Sequence, residues 1–594
     1  MTWSPKNVMF IALLVGIAAT ALVSDLALNR YPPTWQTSTG QWGYFSPTDI
    51  RSCMGARLLT NLADRSSIDL WNACAKHFWK HGALDAFVWR YFAIIATSAF
   101  TLVAAFGFAL AVRFGREPFK VVRGRRLLTG ANAERSLRRA TKLEARRSGI
   151  GLELVPGLAV SRERETRHWL IWGSVGAGKT QTMTHLILGA IDRGDGVLVI
   201  DVKGDMTAGL HGNPLLIAPQ DARSLVWDIA RDCRTKQDAR ELASRLIPDS
   251  HDPMWSEAAR EILVVCLATL MATKSDGWSW ADLHQISTSS AEALSDMARK
   301  HHVDALRTLA NPENRTTQSV LSTFQTHMNV VATLAEAWGN PAAKRFAISE
   351  WLHAPTPFRA VILQHDPRYP GLSSIWIGGM LTLLASAVGS PSLAESSERR
   401  IWIFADEFPQ LPRIANFSTF LDLGRSKGVV AVLCAQDLAQ LRATYGHERA
   451  EAWVGMIGTK IITKLNVGHG ADEASKLIGD QEIEREERSE TFVDGKSSVT
   501  TVKRRDIRLV ITASEITTKL GPRAAHIDVL IAGIGDDALL IRVPYVALPK
   551  LRPGHVPAAW VQGRTTRNEP NIHPIRPGPR LSKDAIDRIR DAGD

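Results

Sequence analysis

Eight consecutive residues, Gly173, Ser174, Val175, Gly176, Ala177, Gly178, Lys179 and Thr180, fit the spacing G-x-x-x-x-G-K-[ST]. Glycines at these positions let backbone N–H groups cradle phosphates at a helix N-terminus. Lys179 is then expected to reach the β and γ phosphates of ATP, and the Thr180 hydroxyl to face Mg²⁺. Gln181 follows in the same turn and completes the expected nucleotide-binding set. The flanks agree with this chemistry. His168–Trp172 reads as a buried strand and Thr180–Ile191 as a helix, so the order is strand, glycine loop, helix.

A second apolar run, Arg400–Ala405, ends in two acids, Asp406 and Glu407. This is the Walker B arrangement. Asp406 is expected to hold Mg²⁺ through water, and Glu407 to orient and deprotonate an attacking water. Gly196–Asp201 is another buried strand ending in an acid, and Asp201 either approaches the phosphates or caps a turn. The strand Val429–Ala435 ends at Gln436, where a γ-phosphate sensor would sit. Arg425 precedes that strand, as either a finger reaching a neighbouring subunit's nucleotide or a solvated surface arginine.

Elements that position these residues alternate strand and helix, which argues an α/β domain with a largely parallel sheet. Further strands are expected at Arg359–Gln364 and Lys460–Leu465, and a hairpin over Ser489–Val510 turning at Asp494 and Gly495. Between about Thr235 and His353 the strand pattern stops. Helices are expected to start after Asp252-Pro253 and Ser279, with a third over Thr316–Trp338. The nucleotide-binding domain is thus expected as 151–234 plus 354–546, with an all-α domain at 235–353 and a Pro/Arg-rich tail at 547–594, linker or docking peptide, with a short helix near Lys583–Arg590.

The N-terminal region, 1–113, reads as a membrane domain with spans at about 8–28 and 91–112. A cleaved signal peptide is the alternative for the first run. Arg113–Arg147 carries 12 basic residues against three acids, a +9 share of the chain's net +11. Such a juxtamembrane segment, 114–150, keeps the downstream chain cytoplasmic and can also face DNA. Cys53 and Cys74 then lie in the outer loop, where a disulfide is equally open. Five cysteines in 594 residues exclude a disulfide-stapled secreted scaffold, and 45% hydrophobic content excludes a largely disordered chain.

Taken together, the two spans, GSVGAGKT, DVKGD, the helical insertion, IFADEFPQLPRI, LGRSKG and LCAQDLAQL resemble the type IV secretion coupling proteins, the TraD/TraG/TrwB group of conjugation ATPases, over roughly residues 1–546. The resemblance implies a RecA-like P-loop NTPase domain and a homo-hexamer at the bacterial inner membrane. It implies ATP-driven transfer of relaxase-bound single-stranded DNA from a relaxosome to a type IV secretion channel. By carry-over, Lys179, Thr180, Asp406, Glu407 and Gln436 match the family's motif positions. A coupler of protein effectors and an FtsK-like chromosomal DNA translocase are the alternatives. A membrane AAA protease is disfavoured, because His447-Glu448 lacks the second histidine of H-E-x-x-H. Lys203 and Lys427 are candidates for DNA phosphate contact by residue type alone.

Overall fold

The computed structural model describes residues 5–562, apart from 27–29, 31–33, 37–38, 60–64, 114–118, 341, 354–359, 412, 415 and 494–495. The expected Asp494-Gly495 turn and the tail helix near 583–590 lie outside the described residues. The chain divides into two compact units, one of residues 1–120 and 484–504, the other of 121–483 and 505–594.

In the first unit the helices Pro5–Asp25 and Leu84–Arg113 pack side by side. Gly16 allows close approach to Thr101, and Thr20 Oγ1 lies 3.2 Å from Ser98 Oγ. Large apolar side chains point away from the pair, including Leu14, Ile17, Leu22, Phe92, Phe100 and Phe106. The two expected spans fall on these helices. Their described apolar stretches, Leu14–Asp25 and Val88–Ala104, are each shorter than the ~20 residues a bilayer asks for. The described helix that is long and apolar enough to cross a membrane is Pro370–Gly389. It is 67% buried and serves as a core helix of the second unit. Between the N-terminal helices, Pro47–Leu59 and Arg65–Lys80 are joined by a Cys53–Cys74 disulfide over a small core of Phe45, Ile50 and Phe78.

The second unit is built on an 11-stranded sheet. Across it run Leu127–Thr129, Ala538–Pro544, His526–Ala532, Thr459–Ile462, Trp169–Trp172, Val429–Ala435, Ile401–Ala405, Gly196–Asp201, Val361–Gln364 and Leu215–Ile217, with Gly521–Pro522 to one side. From Thr459–Ile462 to Leu215–Ile217 every pairing is parallel. Both faces are covered, so these strands read as continuous apolar runs. Side chains still alternate between two cores. Trp402 and Phe404 meet Met183, Leu186 and Ile187 of the helix Lys179–Arg193. Ile401 and Ile403 join the core that holds Trp376 and Met380 of Pro370–Gly389.

Helices make up most of residues 235–353: Lys236–Leu246, Pro253–Lys274, Trp280–Ser287, Ala291–His301 and Arg315–Ala337 are the main elements, and the strand Arg345–Phe346 interrupts the all-α pattern. Asp252 accepts from Met254 N, and Ser279 with Asp282 forms a capping box. A parallel pair, Val226–Trp227 with Arg345–Phe346, closes the root. There the buried Asp232 accepts from Trp227 Nε1, Ile348 N, and Ser349 N and Oγ. Trp227, Trp280, Trp338 and Trp376 form a chain of rings with centroids 5.4, 5.8 and 5.8 Å apart, linking the insertion to the core helix Pro370–Gly389.

Three boundaries differ from expectation. From Val121 onward the basic segment is part of the second unit. Leu127–Thr129 adds to the sheet beside Ala538–Pro544, and the helix Gly130–Ser148 buries Ala133, Leu137 and Thr141 while its arginines stay in water. The hairpin strands, Asp480–Val493 and Lys496–Leu509, begin nine residues earlier than Ser489. Residues 548–562 are a strap, not a linker. Ala222 N donates to Val556 O, Ala558 N to Gln220 O and Leu551 N to Ala208 O, and Trp560 Nε1 donates to Pro219 O.

Candidate active site

Parallel strands end together, so Gly173, Asp406, Gln436 and Asp201 all leave the sheet at its carboxyl edge. Open α/β sheets bind ligands in the crevice at that edge, where the chain order switches. Here the chain leaves Trp169–Trp172 and re-enters at Gly196–Asp201, skipping two strands that are filled later by Val429–Ala435 and Ile401–Ala405.

The glycine loop has the backbone its sequence requires. Gly176 and Gly178 have φ of 71° and 92°, the left-handed region that glycine tolerates. A Cβ at Gly173 would collide with Thr463 Oγ1, and one at Gly178 with Ile527. Ser174 N and Oγ both donate to Lys464 O at 2.9 Å. The helix then starts at Lys179, so its unpaired N–H groups open into the crevice.

Lys179 Nζ donates to Gly173 O at 2.9 Å and to Ser174 O at 3.2 Å, and lies 3.6 Å from Glu407 Oε1. Thr180 Oγ1 donates to Asp406 Oδ2 at 2.8 Å, and Gln436 Nε2 donates to Glu407 Oε2 at 2.6 Å. The structure thus brings together five expected site residues from three segments. Glu407 adopts φ 55°, which costs a non-glycine residue about 1–3 kcal/mol and marks a functional position. Burial pushes the Asp406 carboxyl above the usual carboxylate range. The Thr180 hydrogen bond opposes that shift, the Glu407 charge adds to it, and Lys203 and Lys179 oppose it. Asp406 Oδ1 is buried and has no hydrogen-bond partner among the described residues. A buried carboxylate oxygen without a donor, beside the phosphate-loop threonine, fits a hard divalent cation such as Mg²⁺.

A profile of the type IV secretion-system coupling protein DNA-binding domain matches residues 153–533, well over half of the chain. The chain belongs to this family. The chain is 24% identical over 413 residues to the coupling protein TraD of Escherichia coli (strain K12), covering 66% of this chain and about half, 55%, of TraD. It is 26% identical over 149 residues to a probable conjugal transfer protein TraG of Sinorhizobium fredii, covering 25% of this chain and 22% of that protein. Among solved structures, the unbound conjugative coupling protein TrwBdeltaN70 aligns with a TM-score of 0.61 at 22% identity, over 75% of this chain and 98% of that one. TrwB in complex with ADP and Mg²⁺ aligns with a TM-score of 0.60 at 21% identity, over 75% and 100%.

Other expected residues lie elsewhere. Arg425 sits before Val429–Ala435, at the amino edge of the sheet, away from its own chain's nucleotide crevice. It is exposed, 3.5 Å from Glu163 Oε1. The Gln181 carboxamide does not face the crevice but accepts from Val546 N at 2.8 Å, so only its backbone remains at the loop. Lys427 is no DNA contact. It is buried, and its ammonium donates to Val388 O and Ser390 O at 2.7 Å each, closing the end of Pro370–Gly389. Asp201 is a turn cap: Oδ1 accepts from Lys203 N and Gly204 N, and Oδ2 from Thr207 N and Oγ1.

Sequence reasoning missed His168. It has φ 56°, Ala431 N donates to its Nδ1 at 3.1 Å, and its Nε2 lies 3.2 Å from Leu421 O. That pair of bonds specifies the neutral Nε2–H tautomer. Burial holds the imidazole pKa down to about 4, against the pull of Leu421 O and with the charge of Arg425 adding. The only sequence signal was a polar residue at the head of an apolar strand.

Proposed function

We propose that this coupling protein is a membrane-anchored ATP hydrolase that passes a relaxase-bound single DNA strand to a type IV secretion channel and drives its transfer. The observation that carries the reading is the convergence of Lys179, Thr180, Asp406, Glu407 and Gln436 in one crevice. Lys179 binds the β and γ phosphates, with the loop's N–H groups around them. Thr180 and Asp406 hold Mg²⁺, in keeping with TrwB solved with ADP and Mg²⁺. When bound, that ion neutralises charge on the phosphate oxygens. Glu407 exchanges its contact with Lys179 for the attacking water and takes its proton, while Gln436 steadies the other carboxylate oxygen. Arg425 of one subunit reaches the nucleotide of the next in a homo-hexamer. Its exposure and its position away from its own site support that role.

The apolar helices Pro5–Asp25 and Leu84–Arg113 anchor the chain as two spans of the bacterial inner membrane. The Cys53–Cys74 bond suits an oxidising outer side, and the basic segment after the second helix suits a cytoplasmic ATPase unit. DNA is held through its phosphates without base readout, so binding weakens with salt. The test is conjugative transfer from donor cells that lack the chain. Wild-type protein should restore transfer and Lys179→Ala should not. Transfer that proceeds equally well without the chain would reject the reading.

A further inference from the structure

One further cation stands at the crevice. The strands Gly196–Asp201 and Ile401–Ala405 pair in parallel with Ile200 beside Ala405, so the turn after Asp201 emerges next to Asp406. That turn is tightly held. Asp201 accepts four hydrogen bonds from it, of 2.7–3.2 Å. Behind it, Gln364 Nε2 donates to Thr207 Oγ1 at 3.0 Å and to Gly554 O of the strap at 2.7 Å. Gly204 has φ 81°, and a Cβ there would stand 3.2 Å from Gly554 O.

Lys203 occupies the tip of this rigid turn. It is exposed, and its ammonium makes no hydrogen bond or ion pair among the described residues. Fixing a long side chain costs rotamer entropy, so a free lysine stays mobile until a ligand holds it. A lysine mounted on a braced turn beside an acidic crevice, and left unpaired there, is suited to a ligand that brings its own negative charge.

We propose that Lys203 is a second phosphate-contacting residue of the nucleotide site, meeting the terminal phosphate of ATP from the Walker B side while Lys179 holds it from the glycine loop. The proposal rests on the ATPase reading and deepens it: Lys203 makes the site prefer triphosphate over diphosphate. The strap, through Gly554 and Gln364, positions the turn that carries it.

The experiment uses the full chain in detergent. It measures binding of a non-hydrolysable ATP analogue with Mg²⁺, of ADP with Mg²⁺, and of single-stranded DNA without nucleotide. Lys203→Gln should weaken the analogue about tenfold or more relative to ADP, and Lys203→Arg should recover most of that loss. DNA affinity should stay at the wild-type value. An unchanged analogue-to-ADP ratio overturns the proposal, as does a loss confined to DNA, which would make Lys203 a nucleic-acid contact. Lys179→Ala separates the two levels. If it binds nucleotide as wild type does, the ATPase reading fails. If it loses nucleotide while Lys203→Gln does not, only the role of Lys203 fails.

Discussion

Replacing Glu407 by Gln tests the chemistry of the crevice with little change of shape. In the resting geometry Glu407 has two contacts, Lys179 Nζ at 3.6 Å from Oε1 and Gln436 Nε2 at 2.6 Å from Oε2. A Gln side chain can keep the second through its carbonyl oxygen. It loses the first, but Lys179 retains Gly173 O and Ser174 O. Folding and the phosphate loop should therefore survive. Two effects on nucleotide are expected, with opposite signs. The γ phosphate no longer competes with Glu407 for Lys179, so ATP affinity should hold or rise. The attacking water no longer has a base, so kcat should fall by about 10²–10⁴. That corresponds to about 3–5 kcal/mol of barrier. The assay is steady-state phosphate release at saturating ATP, with ATP affinity measured alongside. A kcat within threefold of wild type would remove Glu407 from the base role. A large loss of ATP affinity with kcat retained would refute the competition between Glu407 and phosphate.

Two other variants probe the opposite edge of the sheet. The fold favours neutral His168, since burial takes its pKa from 6.5 to about 4. Stability from this group is complete above pH 6.5 and is lost as pH falls toward 4, at about 1.4 kcal/mol per pH unit. His168→Asn tolerates positive φ and keeps an acceptor for Ala431 N. Its apparent Tm should fall less than that of wild type between pH 7 and pH 5, and an identical fall would contradict the assigned tautomer. Arg425→Ala should leave nucleotide binding intact and lower hydrolysis, and mixing it with Lys179→Ala subunits should restore partial, interface-dependent turnover. Full activity of Arg425→Ala alone would reject the trans finger.

What could be read from the sequence was what is local. The glycine loop, the acids at strand ends, the Asp252-Pro253 start and the Ser279 capping box are set by neighbouring residues, and each lies where its spacing put it. Contacts between distant segments were not legible. Twelve basic residues masked the Ala133–Leu137–Thr141 stripe that seats the helix Gly130–Ser148 on the sheet. The early hairpin residues, from Asp480 to Glu487, are mostly charged and show no apolar alternation. Pro and Gly in residues 548–562 read as linker because a strap held by backbone hydrogen bonds needs no apolar pattern. Residue type alone misassigned Lys427, whose ammonium satisfies carbonyls at a helix end. The Cys53–Cys74 bond depended on a Cα separation, 5.8 Å, that only the fold supplies.

Coupling of nucleotide hydrolysis at this crevice to a DNA strand is the step on which the proposed function depends. The most direct measurement is ATP hydrolysis by the full chain, with and without single-stranded DNA, over a range of salt, with Lys179→Ala as control. DNA should stimulate hydrolysis, the stimulation should fade as salt rises, and Lys179→Ala should show no turnover. Hydrolysis indifferent to DNA at every salt concentration, or surviving in Lys179→Ala, would contradict this coupling.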